Sequence, residues 1–575
     1  MVWLIGTVML LLLVLLISNR WPANLIFFGA TMIFFFAGLL STQDLLRAFT
    51  NETLLGLILL LLVSNVVEKT YFLPWLSQNL LNGKNIQSFL AKLAAFSMLF
   101  SSHLNNTAVV ATLMGTVKVN RNFAASKLLI PLSYAAIIGG TLTLVGTSTN
   151  LIVSSFALDA GLPPIAFYDF AYVGLPISLL GFFYLILVVP RLLPDRGVNN
   201  SSRDGKYFLE ASISPDSRLI GRSVTANGLR NLDNLYLAEI VRGDRLISPV
   251  MPEEILQPND GLIFTGDVSQ ISELRKFNGL RILDHIDAIA RSTLQEVIIK
   301  HDAPVIGRRV KDLNFRTRFD AVVVGVRRGE NKLPGKIGPM ILQPGDNLIL
   351  AVGKEFQKHD NLRQNFIFIK PIESDEYLNY RESWLTLGIF LSGLGLTALG
   401  IISLFKSMLG ALLIYLILGY LPRKNIRKHT NLGLLIMIGS SLAIARVLQD
   451  YGLAQALAQG IVQVFGDQAP LGALVGIYLA TLVLTELVTN NAAAAIIFPI
   501  ALSTAHQLEV SPMPFVMVVA YAASASFLTP IGYQTNTMVY SLGQYQFKDY
   551  FRSGLGLTIL YAVLVISLVP KFFPF

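Results

Sequence analysis

The sequence predicts a polytopic α-helical membrane protein in which two inverted-topology repeats flank two small α+β cytosolic domains. Of its 575 residues, 53% are hydrophobic and 14% are charged, and the mean hydropathy is +0.58, above the range of ordinary soluble proteins. The apolar sequence falls into two blocks separated by a long stretch of soluble composition. An asparagine-rich step recurs in both blocks, as Asn105-Asn106-Thr107-Ala108 and Asn490-Asn491-Ala492-Ala493.

These shifts in composition predict four units, and the chain's motifs narrow its function. We expect membrane repeats at 1–195 and 383–575, and cytosolic domains at 206–285 and 290–372. The absence of cysteine excludes disulfides and thiolate metal sites. No G-x-x-x-x-G-K-[ST], H-E-x-x-H or G-x-S-x-G pattern lies on a plausible scaffold. We therefore predict no enzyme activity and no organic cofactor.

Apolar runs long enough to cross a hydrocarbon core of ~30 Å predict the membrane crossings. Two further apolar segments, 86–118 and 470–506, are broken midway by the asparagines, and we expect each to form a re-entrant helical hairpin. The crossings are expected near 2–18, 23–40, 53–68, 128–145, 167–190, 384–402, 404–421, 431–449, 513–531 and 552–570.

Basic residues predict the orientation, because lysine and arginine collect in cytoplasmic connections. With 196–382 in the cytoplasm and both hairpins returning to their own side, few basic residues remain outside. Both termini are then extracytoplasmic, and the net charge of +9 reflects orientation in the cell membrane rather than a nucleic-acid partner. The inside set is Arg20, Lys69, Lys84, Lys118, Arg121, Lys127, Arg191, Arg196, Arg423, Lys424, Arg427, Lys428, Lys548 and Arg552, against Arg47, Lys406 and Lys571 outside.

The two apolar blocks align beyond the asparagines. Ser133-Tyr134-Ala135-Ala136 matches Ala520-Tyr521-Ala522-Ala523, and Gly146-Thr147-Ser148-Thr149-Asn150 matches Gly532-Tyr533-Gln534-Thr535-Asn536. In this alignment Ser101 is the counterpart of Glu486. Inverted repeats of this kind are typical of secondary transporters.

The middle block carries a duplication of its own. Leu219-Ile220-Gly221-Arg222 recurs as Val305-Ile306-Gly307-Arg308, and Leu256-Gln257-Pro258-Asn259-Asp260 as Leu342-Gln343-Pro344-Gly345-Asp346. Apolar strands follow each copy, so we expect two similar modules of alternating strands with one helix.

Breaks in apolar helices are candidate binding sites, because backbone groups left unpaired in hydrocarbon must be satisfied by protein, water or ligand. We expect breaks at Gly146–Asn150 and Thr529–Asn536 as well as at the two tips. Helix N-termini there suit an anion, and terminal carbonyls suit Na⁺. The competing interpretation is that these polar residues only join packed helices.

Glu486, one helical turn before the second tip, is an intramembrane carboxylate and hence a candidate for neutralising a cation or carrying a proton. Its alternative role is structural, as a paired or protonated carboxylate that holds the hairpin.

The run Gly139–Ile152, with Leu104–Ala108 before it, resembles the divalent anion:sodium symporters of the solute carrier 13 group. The run Leu528–Tyr540 is similar to the sulfate-permease branch of that family, and the middle modules resemble TrkA-C domains, the C-terminal domains of potassium-channel regulators. The family implies an elevator mechanism, a dimerising scaffold, Na⁺ at each tip with its facing loop, and substrate between the tips. The TrkA-C likeness implies regulation, with a small-molecule regulator, although structural bulk is the competing interpretation.

The resemblance implies two sets of site residues. The family's Ser-Asn-Thr falls on Asn105-Asn106-Thr107 and on Asn490-Asn491-Ala492, so hydroxyls are lost and sulfate is favoured over dicarboxylates. The implied substrate ligands are Asn105, Asn106, Thr107, Thr149, Asn150, Asn490, Asn491, Ala492, Thr535 and Asn536. The implied sodium ligands are Ser101, Asn105, Asn106, Gly146, Glu486, Asn490, Asn491 and Gly532.

Sodium-coupled sulfate symport is accordingly the leading prediction from the sequence. The alternatives are a dicarboxylate symporter, a proton-coupled carrier or antiporter using Glu486, and a channel or sensor gated by the middle modules. No run resembling the T-V-G-Y-G selectivity filter supports the channel.

Overall fold

The computed structural model describes most of the chain as a helical membrane protein with two small β-sheets between its helical halves. The described residues are 1–18, 21–50, 52–70, 85–120, 122–196, 208–230, 232, 235–243, 245–247, 250–266, 274, 276–283, 294–300, 303–329, 331–332, 337–353, 355–359, 361–368, 378–421, 432–465 and 470–575. Several predicted inside charges, including Arg20, Lys84, Arg121 and those at 423–428, lie outside these ranges.

The first half comprises ten helices among the described residues. They are α1 (Val2–Ser18), α2 (Ala23–Phe36), α3 (Thr42–Phe49), α4 (Glu52–Val67), α5 (Ile86–Ser101), α6 (Asn106–Val119), α7 (Ala125–Gly140), α8 (Ser148–Asp159), α9 (Ala171–Leu187) and α10 (Val189–Leu192).

The sheet region and the second half follow. Two short α-helices lie among the described residues of the sheet region, namely α11 (Phe315–Phe319) and α12 (Leu362–Asn365). The second half contains α13 (Tyr380–Ala398), α14 (Leu404–Ile417), α15 (Leu432–Asp450), α16 (Leu453–Phe465), α17 (Pro470–Leu487), α18 (Asn490–Gln507), α19 (Met513–Ser524), α20 (Gln534–Leu542) and α21 (Phe547–Phe572).

The predicted interruptions are present, and two of them are longer than expected. α5 and α6 meet at the first asparagine tip, and α17 and α18 meet at the second. The crossings predicted at 128–145 and 513–531 are wrong at their C-terminal ends, because α7 stops at Gly140 and α19 at Ser524. The breaks therefore begin several residues before the recurring Gly-x-x-Thr-Asn runs.

Among the described residues of the two membrane halves, four helices lie outside the predicted crossings and hairpins, namely α3, α8, α16 and α20. α3 and α16 are short and carry polar side chains on one face, so neither forms an apolar run of membrane-spanning length. Four segments among the described residues are long and apolar enough to span a membrane, namely 42–67, 432–450, 470–487 and 547–572, alongside a set of shorter apolar helices.

The halves interlock through their broken helices. α20 packs against α6 and α7 of the first half, and α8 packs against α18 and α19 of the second. Tyr134 in α7 donates to the carbonyl oxygen of Phe527 at 2.6 Å, and Tyr521 in α19 donates to that of Phe170 at 2.5 Å. Both tyrosines are buried, so each half satisfies a backbone carbonyl of the other.

The two modules are five-stranded antiparallel sheets of identical topology. The first is β1 (Phe208–Ile213), β2 (Leu235–Arg242), β3 (Arg245–Ile247), β4 (Gly261–Gly266) and β5 (Leu280–Leu283), in the order β3-β2-β4-β1-β5. The second is β6 (Leu294–Ile299), β7 (Ala321–Arg328), β8 (Asn331–Lys332), β9 (Asn347–Val352) and β10 (Phe366–Phe368), in the corresponding order β8-β7-β9-β6-β10.

The recurring sequence motifs build matching ion pairs in the two modules. Arg242 contacts buried Asp260 at 2.9 Å, and Arg328 contacts buried Asp346 at 2.7 Å. The predicted helix is present in the second module as α11, and its counterpart in the first module, at 229–233, lies partly outside the described residues. The duplication predicted from the sequence is thus present in the fold.

The second module also contacts the membrane helices. Ser541 in α20 donates to the carbonyl oxygen of Gly345 at 2.6 Å and accepts from the amide nitrogen of Gly329 at 3.1 Å. Both glycines have positive φ. A β-carbon on Gly345 would lie 2.5 Å from Thr537, and one on Gly329 would lie 2.7 Å from the Tyr540 ring. The corresponding turn of the first module, at Gly243, has open space around it.

Candidate functional site

Each hairpin tip faces the helix break of the opposite half. Asn106 at the first tip donates through Nδ2 to the Tyr533 hydroxyl at 2.7 Å, and Thr107 donates through Oγ1 to Gln534 Oε1 at 3.1 Å. At the second tip, Asn491 Oδ1 accepts from Ser148 Oγ at 3.2 Å. We call this meeting point of the two tips and two breaks the junction. The four interruptions predicted from the sequence are therefore brought together.

Tyr533 is a junction residue that the sequence interpretation missed. Its hydroxyl lies 2.7 Å from Asn106 Nδ2 and 3.2 Å from Thr147 Oγ1, so it joins the first tip to both breaks. An aromatic residue in an apolar segment is usually a packing residue. The available signal was its position, because it occupies the place of Thr147 in the aligned Gly-x-x-Thr-Asn runs.

Within each break, the same hydrogen bonds occur at corresponding positions. Asn150 Nδ2 donates to the carbonyl oxygens of Thr143 at 2.9 Å and Gly140 at 3.4 Å. The Thr143 hydroxyl also accepts from the amide nitrogen of Gly146 at 3.1 Å. A side-chain amide thus satisfies the carbonyls at the end of α7, which in hydrocarbon have no water to bond.

The second break repeats this pattern. Asn536 Nδ2 donates to the carbonyl oxygens of Ser526 at 2.9 Å and Thr529 at 3.2 Å, and Thr529 Oγ1 accepts from the Gly532 amide at 3.0 Å. Asn536 is fully buried, as is neighbouring Thr535, and Ser133 donates to both of them. The predicted ligands Asn150, Thr535 and Asn536 therefore lie away from the facing side chains of the junction, and they stabilise the backbone of the breaks.

The alignment of the two tips differs by one residue from the one that the asparagine pairs suggested. Asn105 caps α6 by accepting from the Thr107 amide at 2.9 Å, and Thr489 caps α18 by accepting from the Ala492 amide at 3.3 Å. Side-chain hydrogen bonds between residues five positions apart show the same one-residue shift. They join Ser101 to Asn106 at the first tip and Thr485 to Asn490 at the second. The N-caps, Asn105 and Thr489, are thus the equivalent positions.

This alignment of Asn105 with Thr489 changes two expectations from the sequence. The counterpart of Glu486 is Ser102 and not Ser101, because the carbonyl oxygens of Ser102 and Glu486 accept from the equivalent hydroxyls of Thr143 and Thr529. The second tip also reads Thr489-Asn490-Asn491, so it keeps a hydroxyl at its first position. Ala492, predicted as a ligand, is buried and participates through the amide that Thr489 caps.

Three side-chain oxygen atoms converge beside Gly532 at the second break, and we call the place where they converge the hollow. Glu486 is 7% exposed, and its Oε1 accepts from the Leu528 amide at 2.7 Å. Its Oε2 and Ser526 Oγ are buried without a hydrogen-bond partner among the described residues. A β-carbon on Gly532 would overlap Ser526 Oγ and lie 2.9 Å from Glu486 Oε2 and 3.0 Å from Thr529 Oγ1. Because Gly532 has no side chain, these three oxygen atoms can approach one another beside its Cα.

The chemistry of this hollow fits Na⁺, since carboxylate and hydroxyl oxygens are ligands of hard cations. A buried carboxylate oxygen without a donor is costly unless a cation or a proton compensates it. The first half lacks these groups, because Gly140 and Ser102 stand where the second half has Ser526 and Glu486. At Gly146, a β-carbon would lie 2.5 Å from the carbonyl oxygen of Gly140, so this glycine permits close backbone packing instead.

Comparison with known proteins places the chain among transporters. The profile of the family described as "Citrate transporter" (CitMHS) matches residues 13–520 and, in a second match, 407–575. An uncharacterized transporter of Synechocystis is 27% identical over 573 residues, which cover 95% of this chain and 93% of that protein.

Two further relatives are similar over shorter lengths. The uncharacterized transporter YfbS of Escherichia coli is 27% identical and aligns with 83% of this chain and 82% of its own length. Sodium/sulfate cotransporter 1 of Chlamydomonas reinhardtii is 28% identical over 375 residues, which cover 62% of this chain and 42% of that protein. With the family profile matching nearly the whole sequence, the chain belongs to the citrate transporter family, a group of multi-pass secondary transporters and not of enzymes.

Proposed function

We propose that this protein is a sodium-coupled symporter of a small divalent anion, sulfate. The junction carries the proposal, because two tips and two breaks bring polar groups together within apolar helices, next to an oxygen-lined hollow. Intramembrane polar groups at repeat interfaces are where secondary transporters bind substrate and coupling ions. The sodium/sulfate cotransporters among the relatives support both the anion and the cation.

The anion would bind between the tips. Asn105, Asn106, Thr107, Asn490, Asn491 and Thr149 are the proposed contacts, while Asn150, Thr535, Asn536 and Ala492 hold the backbone that presents them. An uncharged set of donors suits a transported dianion, since binding must be strong enough to select it and weak enough to release it.

Na⁺ would bind in the hollow at Glu486, Ser526 and Thr529. Neutralising the buried carboxylate offsets its desolvation, and a bound cation beside the junction favours an anion there. The corresponding weaker cation site in the first half would use Ser101, Asn105, Asn106 and the backbone at Gly146. We propose that these two sites make anion binding depend on sodium.

The proposed arrangement in the cell membrane places both modules in the cytoplasm and both termini outside. Because the chain has no cysteine, single cysteines would report sidedness cleanly. Glu355→Cys in the second module should react with an impermeant maleimide from the cytoplasmic side, and Gln43→Cys in α3 from the opposite side. Labelling of both from one side would contradict this orientation.

We further propose an elevator movement of the tips and broken helices against a scaffold that forms a homodimer, with the modules, as TrkA-C-like domains, regulating it. The hydrogen bonds of Ser541 to Gly329 and Gly345 support regulation, because they fasten a module to the helix that starts at the second break. Ser541→Ala should alter the uptake rate without altering the anion's affinity. An unchanged rate would favour a structural role for the module.

Radiolabelled sulfate uptake into proteoliposomes containing the full chain tests the transport proposal. Uptake should saturate with sulfate concentration and should disappear when choline replaces sodium at constant pH. Uptake that persists in choline would overturn sodium coupling, and uptake driven by a pH gradient alone would identify a proton-coupled carrier. Preference for a dicarboxylate would overturn the sulfate assignment, and a flux that does not saturate would indicate a channel.

A further inference from the structure

Equivalent positions of the two helix breaks carry side chains of very different size. Thr147 and Tyr533 are the N-cap residues of α8 and α20, and their backbone angles nearly coincide, with φ −139° and ψ 147° in Thr147 against φ −136° and ψ 143° in Tyr533. The two side chains therefore leave their helices in corresponding directions. Because tyrosine is much longer than threonine, the second break extends into the junction where the first does not.

Tyr533 reaches the tip of the first half, whereas the equivalent contact is absent on the other side. The Tyr533 hydroxyl lies 2.7 Å from Asn106 Nδ2. The counterparts of these two residues are Thr147 and Asn490, and no hydrogen bond joins that pair within the described part of the chain. Thr147 Oγ1 instead lies 3.2 Å from the Tyr533 hydroxyl, and Asn490 bonds Thr485.

The Asn106 side chain is enclosed between α7 and Tyr533. A β-carbon on Gly140, at the end of α7, would lie 2.7 Å from Asn106 Nδ2 and 2.8 Å from its Oδ1, so the amide packs directly against the backbone there. Ser101 contacts it at 2.5 Å, and Asn106 is only 3% exposed. An anion that approaches this tip must therefore share its space with the Tyr533 ring.

The neighbouring contacts keep their combined size between the halves. Thr107 lies 3.1 Å from Gln534 Oε1, and the equivalent pair is Asn491 with Ser148, 3.2 Å apart. Each pair joins a shorter side chain to a longer one, with the two exchanged between tip and break. Tyr533 has no such compensation, because the asparagine that it contacts is matched by an asparagine in the other half. The additional bulk of the second break therefore lies at Tyr533.

We propose that Tyr533 limits the length of the transported anion, because its ring fills the part of the junction beside the first tip. The inference rests on the proposed function, since it concerns the same anion site. Two tips related by the repeat could each hold one end of a dicarboxylate only if space were left beside both. A compact tetrahedral dianion needs less room, whereas an extended dianion would overlap the ring in a packed site that resists expansion.

Tyr533→Thr tests this size limit, because it copies the residue of the first break into the second and removes the ring while keeping a hydroxyl. Tyr533→Phe is the matched control, since it removes the hydroxyl and keeps the ring. The measurement is inhibition of labelled sulfate uptake by succinate, an extended dianion, and by selenate, which has the shape of sulfate, at neutral pH and fixed sodium. The selectivity is the ratio of their half-inhibitory concentrations.

In the unmodified protein, succinate should inhibit at least about tenfold more weakly than selenate. Tyr533→Thr should reduce this ratio by about tenfold, and Tyr533→Phe should keep it whatever its uptake rate. An unchanged ratio in Tyr533→Thr, or an equal fall in Tyr533→Phe, would overturn the proposal. If Tyr533→Thr does not fold, Tyr533→Leu also removes the ring and should reduce the ratio, and an unchanged ratio in that variant would overturn the proposal as well.

A second measurement separates this inference from the transport proposal. Thermal stabilisation of the purified full chain by succinate and by sulfate in sodium requires no transport. If sulfate uptake fails but succinate stabilises Tyr533→Thr and not Tyr533→Phe, transport is contradicted and the size limit stands. If uptake is sodium-dependent but succinate stabilises the unmodified protein as strongly as it stabilises Tyr533→Thr, the size limit is overturned and the transport proposal stands.

Discussion

The two helix breaks have the same backbone support and different chemical contents. Asn150 and Asn536 donate to equivalent carbonyl pairs, and Gly146 and Gly532 donate to equivalent threonines. Beside the first break, however, stand Gly140 and Ser102, where the second has Ser526 and Glu486. The internal repeat therefore preserves the means of interrupting a helix in hydrocarbon, while the residues facing the interruption are free to diverge.

This difference assigns unequal tasks to the two halves. The second half supplies the carboxylate of the hollow and the larger junction side chains, Tyr533 and Gln534. The first half supplies small hydroxyl residues, Thr147 and Ser148, at the matching positions. Variants made in pairs at equivalent positions can test whether this asymmetry governs transport.

The largest effect is expected for Glu486→Gln. Replacing the buried carboxylate removes a charge interaction of about 4 kcal/mol at 4 Å with an effective dielectric of 20, so sodium affinity should fall by roughly 100-fold or more. The measurement is the sodium concentration that gives half-maximal sulfate uptake. Ser102→Ala, at the equivalent place in the first half, should leave it nearly unchanged because Ser102 bonds Thr143 through its carbonyl. Similar effects of both substitutions would contradict the asymmetry.

The paired glycines should respond differently to alanine. In Gly532→Ala the new methyl group meets the side chains of Ser526 and Glu486, which can rotate, so the protein should fold and lose sodium-dependent uptake. In Gly146→Ala the methyl group meets the backbone of Gly140, which cannot move without shifting α7. The second variant should lower the melting temperature more than the first. A larger loss of melting temperature in Gly532→Ala than in Gly146→Ala would show that the oxygen atoms around Gly532 are packed too rigidly to admit a cation.

The smallest difference between paired variants is expected for Tyr134 and Tyr521, whose hydroxyls donate to carbonyls of the opposite half. Tyr134→Phe and Tyr521→Phe each remove one buried hydrogen bond to a carbonyl of the other half, at a cost of about 1–3 kcal/mol each. Because this support is symmetrical, both variants should unfold at similarly reduced temperatures and keep their sodium dependence. If only one of these variants lost its sodium dependence, the functional difference between the halves would depend on these contacts and not on the residues beside the breaks.

The interruptions could be predicted from the sequence because their causes are local. Glycine, proline and amides within apolar runs indicate broken helices, and repetition strengthens the indication. The duplicated module motif likewise predicted two similar modules of alternating strands. Orientation, elevator movement and dimer formation remain predictions.

The alignment of the tips and the tertiary contacts of the site could be identified only from the three-dimensional structure. The asparagine pairs were aligned by identity, which concealed that Thr489 and not Asn490 performs the capping role of Asn105. Tyr533 was overlooked because only tertiary contacts distinguish its hydroxyl from that of a packing tyrosine. Gly329 and Gly345 resemble ordinary turn residues, and nothing local indicates that α20 lies against them.

Coupling between the two ions is the central claim, and it is tested most directly by binding to the purified full chain. Calorimetric titration with sulfate in sodium and in choline should give measurable affinity in sodium alone. By linkage, saturating sulfate must raise sodium affinity by the same factor that sodium raises sulfate affinity, and Glu486→Gln should abolish both increases. Sulfate affinity that is equal in sodium and in choline would contradict the account.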